Sequence, residues 1–376
     1  MTQRDAHRVH GLAGDEAAPD WPPLALEELV PVFARYPALD APRAILWRSP
    51  RPLSAAALVE TRSGTVFAKR HSARVRSAAE LAQEHSFAQH LREQGIPTPA
   101  LHAAERGDTA LSLGDWTWEL QAPAEGVDRY RDAPSWTPLY DLAHARAAGA
   151  MLARLHHAAA GWDAPQRTTH LLVARCELIE APDPVTALLA QRPERPMLAR
   201  WLDAFAWREE LLDALGAAQA RVQARAAAQP RLWTHGDWHA SNLFWSEPGA
   251  SARVSAVLDF GLCARGFALF DLATAIERNA IDWLQPDDTR GHPDIARALI
   301  GGYREVRALA ADDIALLADL LPVVHLDFAL SEVEYYAGIT GSQVNAEAAW
   351  KTFLLGHARW FEGGHGLALL EALRAS

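Results

Sequence analysis

Cysteine is nearly absent from this chain of 376 residues, and the two present, Cys176 and Cys263, stand far apart and singly. That excludes a disulfide framework and suits a reducing compartment, so a cytoplasmic location is expected. Long apolar runs are also missing: no stretch reaches the roughly 18 residues of a membrane-spanning helix. Met1 to Pro19 lacks the apolar core of an export signal, and residues 1–24 are expected to be a flexible lead. Basic residues are outnumbered, 36 Lys and Arg against 47 Asp and Glu for a net charge of −11. That balance argues against nucleic acid or an anionic membrane as partner and is compatible with a cationic small molecule. No internal repeat is found, and nothing bears on the oligomeric state.

What is present is ordinary globular material, 49% hydrophobic and 22% charged, in a chain long enough for two lobes. Its densest chemistry lies in His235-Gly236-Asp237-Trp238-His239-Ala240-Ser241-Asn242, followed by Asp259-Phe260-Gly261. This spacing of carboxylate, carboxamide and carboxylate fits phosphoryl transfer: Asp237 serves an attacking hydroxyl, while Asn242 and Asp259 hold magnesium under the nucleotide phosphates. Leu243 to Trp245 and Val254 to Leu258 read as strands joined by a turn, a hairpin that returns Asp259 to Asn242. Oxygen donors of this kind suit a hard cation. A zinc site from His235, Asp237 and His239 is the competing chemistry, but no further ligand cluster stands nearby. His235 reads better as a packed, hydrogen-bonded histidine that fixes the loop.

Upstream, Ala55 to Glu60 and Thr65 to Arg70 form a predicted hairpin turning at Arg62-Ser63-Gly64, which sets Lys69 near a strand end to neutralise phosphate. Ser77 to Gln94 has helical spacing of Leu81, Phe87, Ala88 and Leu91 and stops at Gly95. Glu84 on that helix is the expected partner of Lys69, with Glu80 as fallback.

On these motifs, from about Trp47 to Asp271, the chain resembles the aminoglycoside phosphotransferase and choline kinase-like superfamily. The resemblance implies an α+β, protein-kinase-like two-lobed fold: a small β-rich N-lobe over a larger, mainly helical C-lobe, with boundaries at 25–120 and 121–376. It also implies a hinge at Glu119 to Gln121 that presents backbone groups to adenine, with Glu119 and Gln121 among the nucleotide-binding residues. Asp271, in Phe270-Asp271-Leu272-Ala273, becomes an anchor under the catalytic loop, and Gly149 to His156 the core helix before it.

Two features depart from the pattern. Trp47 to Ala56, where a phosphate-covering loop belongs, has no glycine, so Ser49 or Ser54 must help. Phe67 stands two residues before Lys69, where protein kinases have alanine above the base, which leaves ATP against GTP open. Gly236 replaces the arginine of regulated protein kinases, and Asp271 follows the Asp259 motif almost at once, so no activation segment intervenes. A small-molecule acceptor is therefore expected. Its candidate contacts are His239, Glu277 and Arg278, then Asp327 and Glu334, which with Ser331 share a face of a helix predicted over 320–337. Those carboxylates would favour an amine-bearing acceptor, and Trp136, Trp162, Trp201, Trp207 and Trp283 could wall a cation. The sequence thus reads as an ATP- and magnesium-dependent kinase of a small hydroxyl compound. A serine/threonine protein kinase, similar to a bacterial stress-response kinase, and a nucleotide-binding pseudokinase stand as alternatives.

Overall fold

Apolar side chains run through residues 55–59 and 66–68, and in the computed structural model the strands that carry them lie in the middle of a five-stranded antiparallel sheet. The structure describes residues 19–249, 251–285 and 288–375, so most of the expected lead at 1–24 lies outside the described residues. Strands β1 (Ala44–Arg48), β2 (Ala55–Glu60), β3 (Thr65–Ser72), β4 (Ala110–Leu113) and β5 (Trp116–Gln121) lie in the order β1-β2-β3-β5-β4. Helix α1 (Leu26–Phe33) covers one face, burying Leu29, Val32 and Phe33 with Ala57, Val59, Ala68, Trp118 and Leu120. Lys69, His71 and Glu119 rise from the opposite face, since side chains two apart on a strand, or directly paired across it, share a side. Helix α2 (Ala78–Glu93) lies toward that face. It starts at a capping box in which Ser77 N–H donates to Glu80 Oε2 at 2.8 Å, and it stops before Gly95 at φ +87°.

Beyond Gln121 the chain is mainly helical. Thr137-Pro138 has the form of an N-cap followed by proline at the first helical position, but helix α3 (Leu142–Ala159) begins later, because Thr137 Oγ1 turns back to donate to the Pro134 carbonyl and Trp136 takes a left-handed φ of 65°. Asp141 caps it instead, accepting from Ala143 N–H at 2.8 Å. Helix α3 packs on the helix Pro293–Arg304 at a separation that excludes side chains, as a Cβ at Gly149 would overlap the Leu299 carbonyl and one at Gly302 the Arg146 carbonyl.

Two short antiparallel pairs complete the core of this half. β6 (Arg231–Thr234) pairs with β9 (Ala264–Phe267), and β7 (Leu243–Trp245) with β8 (Val254–Val257). The helix Ala268–Asn279 follows β9 directly and is buried along its whole length. The expected helix over 320–337 is shorter, Leu326–Glu334, continuing into a wider-turned segment Tyr335–Thr340, and all nine residues of 326–334 are buried. Its polar positions therefore have no wet side. Among the described residues, no helix is long and apolar enough to cross a membrane.

Candidate active site

One buried carboxylate organises the loop that follows β6. Asp271, in the first turn of the Ala268–Asn279 helix, accepts from His235 N–H at 2.7 Å, from Gly236 N–H at 2.9 Å and from His156 Nε2 at 3.0 Å. Burial raises its carboxyl, but the bond and charge of His156 outweigh that, so it stays below the usual carboxylate range. At the far end of the same helix, Asn279 donates to the Trp238 carbonyl at 2.8 Å and accepts from Ala240 N–H at 2.9 Å. The loop is thus gripped at both ends by one helix.

His235 Nδ1 accepts from Asp237 N–H at 3.1 Å, which leaves the ring proton on Nε2 to donate to the Leu258 carbonyl at 2.9 Å. Burial lowers its pKa, so it stays neutral, and with both nitrogens engaged it has none to offer zinc. Gly236 sits at φ +76°, and a Cβ there would stand 2.7 Å from the Leu262 carbonyl oxygen and 2.8 Å from Ala174 Cβ. Gly236→Ala is expected to cost about 2 kcal/mol or more, from left-handed strain alone before the clash. Urea unfolding checks this, and a loss under about 0.5 kcal/mol, the range of an inert surface change, would contradict it.

The β7–β8 hairpin delivers the other groups. Leu258 N–H donates to the Asn242 carbonyl at 2.9 Å, setting Asp259 beside Asn242. The Asn242 amide donates to the Asp237 carbonyl at 2.9 Å and to Asp237 Oδ2 at 3.2 Å, leaving its carboxamide oxygen for a cation. Asp259 is held left-handed at φ 55°, with Oδ1 accepting from Gly261 N–H at 3.2 Å and Oδ2 from Lys69 Nζ at 3.0 Å. Desolvation by the surrounding protein pushes the Asp259 carboxyl up, yet the Lys69 ammonium more than offsets this and holds it low. Lys69, Asp237, Asn242 and Asp259 all line one cavity of about 120 Å³. Three non-glycine residues with left-handed backbones, Trp136, Leu172 and Asp259, line it too. A larger open groove of about 670 Å³ behind α2 touches none of these four, so the chemistry belongs to the smaller cavity.

Among the described residues, no group of three or more His, Cys, Asp and Glu is placed to hold a metal unaided. One carboxylate and one carboxamide oxygen nevertheless fit magnesium, which takes few protein ligands and completes its shell with water and substrate phosphate.

Several sequence expectations need correction. Glu84 does not pair with Lys69. Its Oε1 is taken by Arg76 Nε at 2.7 Å and Arg167 at 2.6 Å, both buried, while Lys69 turns to Asp259. Glu119 is no hinge residue: its backbone pairs with Lys69 on one side and Ala110 on the other, leaving little for a base, and its carboxylate is clamped by His71 and His85. Gln121 likewise pairs with Phe67 and bridges Leu101.

On the acceptor side, His239 and Arg278 do line the cavity. His239 Nε2 stands 3.6 Å from Asp237 Oδ2. Arg278 pairs with Asp237 Oδ1, and its guanidinium lies 5.0 Å from the ring centres of both Trp136 and Phe328. Burial there pulls the Arg278 pKa down to about 9. Glu277, Asp327 and Glu334 do not reach the cavity. Glu277 is buried against His357 Nδ1 at 3.0 Å, and Glu334 against Arg195 Nε at 2.7 Å. Asp327 is buried with no hydrogen-bond partner on either oxygen, and burial pushes its carboxyl up to about 8. A carboxyl mostly protonated at neutral pH cannot draw a cation. Of the five tryptophans considered, Trp136 alone lines the cavity, and Arg278 already uses its face.

Sequence reading missed Arg51 and Arg76, which also line the cavity. Arg51 stands in the glycine-free loop 49–54 and donates to the Ala133 carbonyl at 3.1 Å, drawing that loop over the cavity. The only signal was the glycine gap itself.

A five-stranded sheet over a helical half, with this loop and hairpin facing one cavity, defines a kinase, a phosphotransferase with an alcohol group as acceptor. The chain belongs to the phosphotransferase enzyme family, whose profile matches residues 53–309. Solved structures of similar fold include a microcompartment-associated aminopropanol kinase, 16% identical over 92% of this chain and all of the other, with a TM-score of 0.55. An amicoumacin kinase in complex with AMP-PNP, Ca²⁺ and its ligand is 13% identical over 92% of this chain and 95% of the other, also at 0.55. An aminoglycoside phosphotransferase from Alicyclobacillus acidocaldarius is 17% identical over 94% and 97%, at 0.51. No curated protein matches the chain.

Proposed function

We propose that this kinase transfers the γ-phosphoryl group of ATP, with Mg²⁺, to a hydroxyl of a small molecule. What supports this most is that Lys69, Asp237, Asn242 and Asp259 come from three separate stretches of chain and face one cavity. Asp237 accepts or orients the proton of the attacking hydroxyl, its carboxylate steadied by Asn242 and Arg278. Asn242 and Asp259 would hold the metal, which supplies charge neutralisation between phosphate oxygens. Lys69 is half-buried, and against that desolvation the carboxylates of Asp259 and Glu119 keep it protonated and able to meet phosphate. The amicoumacin kinase complex, with a nucleotide analogue and a hard dication in the same fold, is in keeping with both cofactors.

A small acceptor follows from the chain's course. Four residues separate Asp259 from β9, and the buried helix begins at Ala268, leaving no segment on which a protein substrate could lie. With the helix carboxylates turned inward, charge no longer selects an amine-bearing acceptor.

ATP labelled on the γ-phosphoryl group, supplied with Mg²⁺ and a panel of small hydroxyl compounds, tests the proposal. Label on a compound is the expected result. Label only on added protein would make it a protein kinase, and binding without turnover a pseudokinase. Asp259→Ala is expected to weaken Mg²⁺-dependent binding of AMP-PNP about tenfold or more, a loss of 1.4 kcal/mol per decade. Calorimetry with and without Mg²⁺ checks it, and an unchanged metal dependence would count against the assignment.

A further inference from the structure

We infer that Glu119, rather than the helix residue Glu84, is the positioning residue for Lys69, setting that ammonium for the nucleotide phosphates. The inference rests on the function proposed above.

Glu119 and Lys69 are direct partners on adjacent antiparallel strands, so both side chains rise from the same face of the sheet. At that spacing oppositely charged side chains interact across the strands. The neighbouring polar groups His71 and His85 are committed to holding Glu119. His71, two residues along β3, meets Glu119 Oε1 at 3.0 Å, and His85, from α2, meets Oε2 at 3.0 Å. His85 is braced in turn by Thr109 Oγ1 at 2.7 Å. A carboxylate held at both oxygens, with a side chain only 9% exposed, is a fixed negative charge. A long, flexible lysine beside it loses much of its freedom.

Glu84 is spent elsewhere. Arg76 and Arg167, which share its Oε1, also donate to the Gly261 carbonyl at 2.8 and 3.0 Å, and Arg76 further binds the carbonyls of Leu171 and Leu172. That cluster ties α2 to the segment after Asp259. Its two arginines more than offset the one carboxylate, so the cluster as a whole presents no net negative charge to Lys69.

The arrangement divides two duties between two carboxylates. Asp259 is open to the cleft and would be shared with the metal, which would weaken its hold on Lys69 when nucleotide is bound. Glu119, held by its two histidines, would stay behind the lysine and keep it aimed with Asp259 on the cation.

Glu119→Gln removes the charge and keeps the shape; its amide oxygen accepts from one histidine and its NH2 donates to the other in that ring's alternative tautomer. Titrating AMP-PNP with Mg²⁺ into the full-length protein by calorimetry is expected to show about tenfold weaker binding in this variant, with the thermal midpoint nearly unchanged. Glu119→Asp, which keeps the charge, should restore most of the affinity. In a Lys69→Met background, Glu119→Gln should add no further loss, because its effect runs through the lysine. Glu84→Gln should instead lower the thermal midpoint and move affinity less than Glu119→Gln does. Equal binding by Glu119→Gln and the parent, or full additivity with Lys69→Met, overturns the inference while leaving the kinase reading intact. Failure of the parent protein itself to bind AMP-PNP with Mg²⁺ would overturn both.

Discussion

Asp237→Asn is expected to cut turnover by about a thousandfold, in the middle of the range for loss of a positioned general base. The substitution keeps size and shape, so the loop held by Asp271 and Asn279 stays in place. What it removes is a carboxylate that Arg278 and the Asn242 amide both face. The acceptor hydroxyl then has no base toward which to lose its proton. Nucleotide binding should change by no more than about threefold, or under 1 kcal/mol, because Lys69, Asn242 and Asp259 are untouched. Steady-state turnover with calorimetric binding of AMP-PNP separates the two effects. A variant that loses nucleotide affinity in parallel with turnover would place Asp237 on the phosphates rather than on the acceptor.

Asp271→Ala is expected to destabilise the fold by about 3–5 kcal/mol, the cost of removing one partner from a buried, charge-assisted set. Three donors lose their acceptor at once: His235 N–H, Gly236 N–H and His156 Nε2. All three lie away from bulk water, since Asp271, His235 and His156 are essentially fully buried. The contribution also has a pH signature. The Asp271 carboxyl is lower in the folded chain than the unfolded value of about 3.9. Its stabilisation is therefore complete above that value and is lost as pH falls through the folded one. Urea unfolding at pH 7 and again toward pH 3 measures both, and the variant should lose less stability on acidification than the parent does. A loss under about 1 kcal/mol at pH 7, which is common for unremarkable substitutions, would remove Asp271 from its place as anchor.

How far the sequence revealed this site depends on the distance over which each contact forms. Asp237 and Asn242 lie on one loop, and the hairpin that returns Asp259 is short, so spacing alone brought these three residues together. Lys69 was legible as a strand-end lysine, but its partner was not. Choosing between Glu84 and Asp259 requires knowing that Arg76 and Arg167 reach the same face of α2, and Arg167 comes from a distant segment. β6 and β9, four residues each and each carrying an arginine, are too short for an alternating pattern to show.

The acceptor side failed for a different reason. Polar residues at helical spacing usually mark a solvated face, yet Asp327, Ser331 and Glu334 sit on a helix enclosed on all sides. Pairing with Arg195 neutralises Glu334, and protonation does the same for Asp327, so both are tolerated inside. The left-handed backbones at Trp136 and Leu172 leave no mark in composition, because neither is among the glycine, asparagine and aspartate that most often adopt them, as Asp259 is. Only the fold shows that all three ring one cavity.

The central claim is that Asn242 and Asp259 share a divalent ion beneath a triphosphate, with Asp237 alongside for the acceptor. Anomalous scattering from a crystal of the protein with AMP-PNP and Mn²⁺ tests it most directly. The account predicts manganese bound by the Asp259 carboxylate and the Asn242 carboxamide oxygen, with Lys69 on the phosphates. Manganese that contacts neither residue, or a nucleotide seated away from this cavity, would contradict it.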